Sequence, residues 1–190
     1  MELARRKARK KRASRRPRQV APVPPGFRTV TPYLVLSGAA RAVEFYKRAF
    51  NAKEQHREAT PDGKIVHSRL KIGDSIVMLS DEFLGSGMKS PTSLGTSTVT
   101  MHLYTKDVDR LWQKAVSAGA RVVMPLDNQY WGERYGQLAD PFGHRWSVSK
   151  RIKMSPQEME AKRQAAMAMF AQGEHPGSLE QTQLDQSTDA

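Results

Sequence analysis

The residues best suited to chemistry crowd into one stretch, QYWGERYGQLADPFGHRW from Gln129 to Trp146. It sets two Trp, two Tyr, two Arg, a Glu, an Asp and a His around three Gly and one Pro. Arg134 offers a planar fork for a carboxylate or phosphate, and the aromatic neighbours Trp131 and Tyr135, with Gln129 beside them, would wall an organic ligand. Two further candidates are His67 and His102, each in an alternating, strand-like run. Such histidines could bind a substrate anion, act as acid and base, or hold a metal together with Asp81 or Glu133. The competing assignment is structural. Each His would be a hydrogen-bonded strand residue, Trp131 and Trp146 core or interface anchors, and Arg134 the ion-pair partner of Asp140 or Glu133. Trp146, on a strand with Val148, fits the core, and His144 sits at a turn as a structural residue. His56 and His175 fall outside any motif and read as solvated.

Positioning these side chains requires a hairpin. Asp140-Pro141-Phe142-Gly143 is a turn by composition, because Asp caps it, Pro presets φ and Gly takes the positive φ that other residues avoid. His144 to Ser149 then alternates as a strand. One strand thus carries Arg134 and Tyr135, and the next carries Trp146 and Ser147. Earlier in the chain, Thr29-Val30-Thr31-Pro32-Tyr33-Leu34 returns as Thr98-Val99-Thr100-Met101-His102-Leu103, at an offset of 69. Each copy leads into apolar residues at helical spacing, Ala39, Ala42, Val43, Tyr46 and Phe50 in one, and Val108, Leu111, Trp112, Ala115 and Val116 in the other. Asn51 and Gly119 stop these helices. Three extended stretches follow in each copy. The organisation predicted is α+β, two tandem β-α-β-β-β units spanning 29–81 and 98–149 within a domain of residues 26–150, joined by a loop over 82–97. Ser155-Pro156-Gln157-Glu158 caps a weakly amphipathic helix over 154–173.

The net charge of +12 is unevenly placed. Residues 1–20 carry ten Lys or Arg against Glu2, whereas residues 154–190 are net negative, so the high charge is mostly a property of the N-terminus. Residues 1–25 read as a disordered basic tail with a Pro-rich linker, and 174–190 as a disordered tail. The basic run could grip nucleic acid through phosphate neutralisation, but no aromatic residue interleaves it to stack on bases. The chain contains no Cys, which excludes a disulfide framework, a thiolate metal site and a cysteine nucleophile and suits a reducing cytoplasm. No apolar run approaches the ~20 residues of a membrane span.

The run W-G-x-R-x-G-x-L-x-D-P-F-G-H-x-W, together with the two copies of one unit, resembles the vicinal oxygen chelate superfamily, which comprises glyoxalases, bleomycin-resistance proteins and dioxygenases. Within it, the chain is similar to the PhnB-like branch. The resemblance covers about residues 26–150 and implies two units whose sheets curl around a shared cavity. It also implies a divalent metal held by one residue from the first and one from the last strand of each unit, usually His or Glu. Carried onto this chain, those places fall on Thr31, Met78, Thr100 and Ser147, with Pro32, Val77, Met101 and Val148 as their neighbours. None of these is a competent donor set. The expectation is therefore a cavity protein that binds a small organic molecule, possibly anionic, with no metal or other cofactor, through His67, His102, Gln129, Trp131, Arg134 and Tyr135. A homodimer with its cavity walled by the Gln129–Tyr135 bend goes with this reading. The alternatives are a lyase, isomerase or dioxygenase-type enzyme using His67 and His102, and a nucleic-acid-associated protein acting through residues 1–20.

Overall fold

The computed structural model describes residues 20–173, so the basic run up to residue 19 and the segment from Glu174 on, with His175, lie outside the described residues. Two four-stranded sheets form. The first contains β1 (Tyr33–Leu36), β2 (Lys53–Ala59), β3 (Ile65–Ile72) and β4 (Ser75–Asp81) in the order β1-β4-β3-β2. The second contains β5 (Thr100–Tyr104), β6 (Arg121–Gln129), β7 (Glu133–Ala139) and β8 (Arg145–Arg151) in the order β5-β8-β7-β6. In both, the first strand runs parallel to the last and the remaining pairs are antiparallel. Helix α1 (Ala39–Phe50) follows β1 and α3 (Val108–Ser117) follows β5, while α2 (Pro91–Leu94) is one turn within the linker and α4 (Pro156–Ala171) ends the described chain. The class is the expected α+β. The two sheets share no hydrogen-bonded strand pair and close no barrel, so the units meet through α1 and α3 rather than edge to edge.

Helical spacing of small and large apolar residues gives α1 one fully covered face, with Ala39, Ala42, Val43, Phe45, Tyr46, Ala49 and Phe50 all buried. Gly38 has no side chain to cap the helix, and the Asp81 carboxylate does so from β4, accepting from Gly38 N at 2.9 Å and Ala39 N at 2.8 Å. The same carboxylate accepts from Ile65 N at 2.7 Å, which ties the helix start to β3 and β4. Asn51 ends α1 with φ 54°, one of the few non-glycine residues that tolerate this conformation. In the second unit, Trp112 of α3 lies so close to β7 that a Cβ on Gly136 would meet its ring at 2.6 Å. Only Gly fits there.

The Asp140 turn forms as its composition predicts and does more than reverse the chain. Asp140 Oδ1 accepts from Phe142 N and His144 N, both at 2.9 Å, and its Oδ2 accepts from Tyr46 Oη at 2.7 Å and Trp146 Nε1 at 2.9 Å. Trp146 is fully buried, with its ring 4.6 Å from Phe50 and 5.3 Å from Tyr46. His144 bridges back to the first unit through Nε2 and the Val35 carbonyl, 3.1 Å apart. Burial first, and the Asp140 carboxylate next, push the Tyr46 phenol well above its ordinary pKa, so it remains a donor.

Three expectations shift. The first strands begin later than the Thr-rich repeats suggest, at Tyr33 and Thr100; before β1, Pro32 has no N–H for a ladder. The linker contains the short α2, held by Glu82, which accepts from Lys89 Nζ, Ser90 N and Ser93 Oγ. These donors, Lys89 foremost, hold the Glu82 carboxyl down at about 2. The last strand extends to Arg151, and α4 covers Pro156–Ala171 behind the Ser155–Glu158 capping box without burying a residue. Among the described residues no helix is long and apolar enough to cross a membrane.

Replacing Asp140 by Ala strands two buried side-chain donors and two backbone donors. Equilibrium denaturation is expected to show a loss of about 3–5 kcal/mol, and a loss under about 1 kcal/mol would show that the turn holds without its carboxylate.

Candidate functional site

Strand alternation gives each sheet an apolar face against the helices and a polar face away from them. In the second sheet, Leu103, Trp146, Val148 and Leu138 face the core. The register sets His102 beside Ser147, Tyr104 beside Ser149, and Tyr135 and Gln137 beside Ser149 and Ser147 on the opposite face. His102 Nδ1 and Ser147 Oγ are 2.8 Å apart, and Gln137 Nε2 donates to Tyr135 Oη at 2.6 Å. The His102 ring is stacked at 5.8 Å from Tyr135 and lies 4.5 Å from Tyr104. At the β6–β7 turn, Gly132 at φ 83° reverses the chain, and Trp131 folds back with its ring edge-on to Tyr135 at 5.4 Å.

One carboxylate organises this face. Glu133 accepts from Ser149 Oγ at 2.7 Å, Tyr104 Oη at 2.9 Å and Trp131 Nε1 at 3.2 Å. Burial would raise its pKa, but these hydrogen bonds and the nearby His102 outweigh that and hold the carboxyl below its usual range. The hydrogen bond to Glu133 in turn raises the Tyr104 phenol. The result is a surface of three aromatic rings and an imidazole around a fixed negative charge, with Ser147 and Ser149 at its base. Such a surface can stack on a planar organic group and accept hydrogen bonds from it.

Of the residues singled out in the sequence, His102, Trp131 and Tyr135 come together here. Gln129 shares their face by register, opposite Glu133. Arg134 does not join them, since it is one residue out of phase with Tyr135 and faces α3. There its Nε and Nη2 bind Asp109 Oδ1 at 2.8 and 2.6 Å, and its Nη1 reaches Asn128 Oδ1 at 3.4 Å. The expected partners Asp140 and Glu133 are engaged elsewhere. His67 lies on β3 of the other sheet, beside Tyr33 at 6.0 Å and His56 at 5.9 Å, and is not brought to His102. Tyr104 and Glu133 complete the cluster. The alternation that places Tyr104 two residues after His102, and Glu133 two before Tyr135, was available in the sequence.

The metal positions implied by the resemblance also move. Met78 pairs with Tyr33 and Ser147 with His102, so Thr31 and Thr100 are not the facing residues; Thr31 precedes β1 and Thr100 pairs with Arg145. Phenol, thioether, imidazole and hydroxyl do not make a donor set for a divalent ion. Among the described residues no three His, Cys, Asp or Glu side chains converge to share one. A cavity of about 730 Å³ opens between the Gly73 turn, the Arg28–Pro32 segment and β5. His102 and Tyr104 line it within the single chain, whereas the Gln129–Tyr135 bend does not.

A family model described as Glyoxalase/Bleomycin resistance protein/Dioxygenase superfamily matches residues 30–148. The protein Mb0911c of Mycobacterium bovis is 44% identical over 149 residues, which cover 76% of this chain and 94% of that protein. The solved structure of the Arabidopsis thaliana gene product At5g48480 superposes with a TM-score of 0.55 at 30% identity, covering 65% of this chain and 99% of that one. TioX from Micromonospora sp. ML1 superposes with a TM-score of 0.53 at 26% identity, covering 65% and 98%.

The Arg134–Asp109 pair is partly exposed, at 31% and 62% of the two side chains. Arg134→Ala is therefore expected to cost no more than about 1 kcal/mol in urea denaturation, with the difference shrinking in high salt. A larger, salt-insensitive loss would give this pair a weight in the fold that its exposure does not support.

Proposed function

Because the chain belongs to the glyoxalase/bleomycin resistance/dioxygenase superfamily, we propose that it binds a small organic molecule on the polar face of its second sheet, without a divalent metal there. The observation that carries this is the cluster of His102, Tyr104, Trp131 and Tyr135 around the Glu133 carboxylate. Its rings supply stacking surface, Glu133 accepts a hydrogen bond, and the hydroxyls of Ser147 and Ser149 fix polar groups at the base. His102 offers one imidazole with a hydroxyl neighbour. With His67 on the other sheet, an acid–base pair of the two histidines gains no support from their placement within one chain.

A second copy of the chain completes the binding unit. Strands β1 and β5 are sheet edges, and exposed apolar side chains line their approaches: Val30 at 82%, Val99 at 62% and Tyr104 at 67%. Sheet edges flanked by apolar groups invite pairing, and a homodimer would extend over them.

A thermal-shift screen of planar organic molecules should yield ligands whose stabilisation is lost in Tyr135→Ala and kept in Arg134→Ala. Loss of an aromatic wall should weaken binding by about ten-fold or more. Ligands bound equally well by Tyr135→Ala and wild type would place the site elsewhere. For the dimer, Tyr104→Glu is expected to move the sedimentation coefficient to that of a monomer, and a wild-type monomer at micromolar concentration would remove this part of the proposal.

A further inference from the structure

The polar face of the first sheet carries hydrogen-bond donors that the fold leaves unused. Alternation sets Tyr33 on β1, Met78 and Ser80 on β4, His67 and Arg69 on β3, and His56 on β2 along one side, with Arg69 paired between Met78 and His56. Arg69 Nε and Ser80 Oγ are both shielded from solvent, and among the described residues neither has a hydrogen-bond partner; Ser80 as a whole is 2% exposed. Buried polar side-chain atoms are satisfied in the great majority of cases, so two unsatisfied ones on the same face are a signal. The Arg69 guanidinium rests 5.9 Å from the Phe27 ring centroid, and among the described residues it makes no ion pair. The acid on this face is Glu58, and it stands opposite His67 rather than Arg69.

The charge on this face is lopsided. Arg69 and Lys71 are permanent cations of β3, Lys53 pairs directly with Lys71 from β2, and His56 and His67 lie with their rings 5.9 Å apart. Like charges set opposite one another across strands repel. Burial first, and then the charges of His56 and Arg69, hold the His67 imidazole below its ordinary pKa. A cation is therefore repelled here, while an oxyanion would meet donors and charge together.

We propose that this face is an oxyanion subsite, in which a carboxylate or phosphate group accepts hydrogen bonds from Arg69 Nε–H and Ser80 Oγ–H, with His67 and His56 flanking it. It gives the anion-binding role expected of Arg134 to a different arginine on the other sheet. It does not depend on the organic-ligand reading, since none of its residues touches the His102–Tyr135 cluster.

The test uses the full chain, inorganic phosphate and benzoate as separate probes, and NMR detection of the Arg69 Nε–H and the His67 and His56 ring resonances. Detection at these atoms matters because the basic N-terminus can also attract anions. A saturable shift of the Arg69 Nε–H with either probe is expected, and the two probes rank phosphate against carboxylate. Read at His67, Arg69→Gln should weaken the response about ten-fold or more, Arg69→Lys should restore part of it, and Ser80→Ala should weaken it several-fold. Arg134→Gln should leave it unchanged. If Arg69→Gln proves unstable, Ser80→Ala decides, because it removes one hydroxyl. No saturable change at the Arg69 Nε–H with either probe, or a response of wild-type strength in both Ser80→Ala and Arg69→Gln, would overturn the assignment. Failure of the organic-ligand screen would leave this outcome untouched.

Discussion

The architecture depends on a single buried carboxylate. Asp140 accepts from a tyrosine of the first unit, a tryptophan of the second and two amides of its own turn. A buried carboxylate is tolerated only when its oxygens are fully hydrogen-bonded, and here the donors come from both halves of the chain. The Tyr46 hydroxyl cannot reach Asp140 unless α1 packs against the second unit, and Trp146 cannot unless β8 follows the turn in register. Phe50, its ring tilted against Trp146, then fills the space between the units. Asp81 plays a local part for the first unit, capping α1 from β4.

Joining the units through their helices has a consequence for function. With the apolar face of each sheet consumed by α1 or α3, both polar faces are left pointing away from the shared core. The two surfaces differ in chemistry. The second carries aromatic rings around Glu133, and the first carries Arg69, two histidines and two lysines with Glu58 as its acid. One offers an acceptor and aromatic rings; the other offers donors and positive charge. His67 and His102, which read as potential partners along the chain, end up divided between these surfaces.

Much of this was legible in the sequence where local chemistry decides. The Asp-Pro-Phe-Gly turn, the helical spacing of Ala42, Val43 and Tyr46, the Asn51 stop and the Ser155–Glu158 cap each specify a conformation within a few residues. The burial of Trp146 followed from its alternation with Val148. What escaped depends on register between distant strands. The Thr-rich repeats suggested Thr31 and Thr100 as facing positions, yet hydrogen bonding sets Tyr33 beside Met78 and His102 beside Ser147. Arg134 and Tyr135 are neighbours in sequence, although adjacent strand residues face opposite ways. Alternation with His67 could have pointed to Arg69. That Arg69 Nε finds no hydrogen-bond partner among the described residues, by contrast, is a three-dimensional fact with no sequence signal.

We propose that ligand binding by this chain needs no divalent ion, because Tyr33, Met78, His102 and Ser147 stand where the family resemblance implies donors. Isothermal titration of a ligand found by the thermal-shift screen, before and after exhaustive chelation and with metal content measured on the same samples, tests it most directly. The same affinity and one ligand per chain are expected in both states. Binding that disappears on chelation and returns with one equivalent of a divalent metal would contradict this proposal.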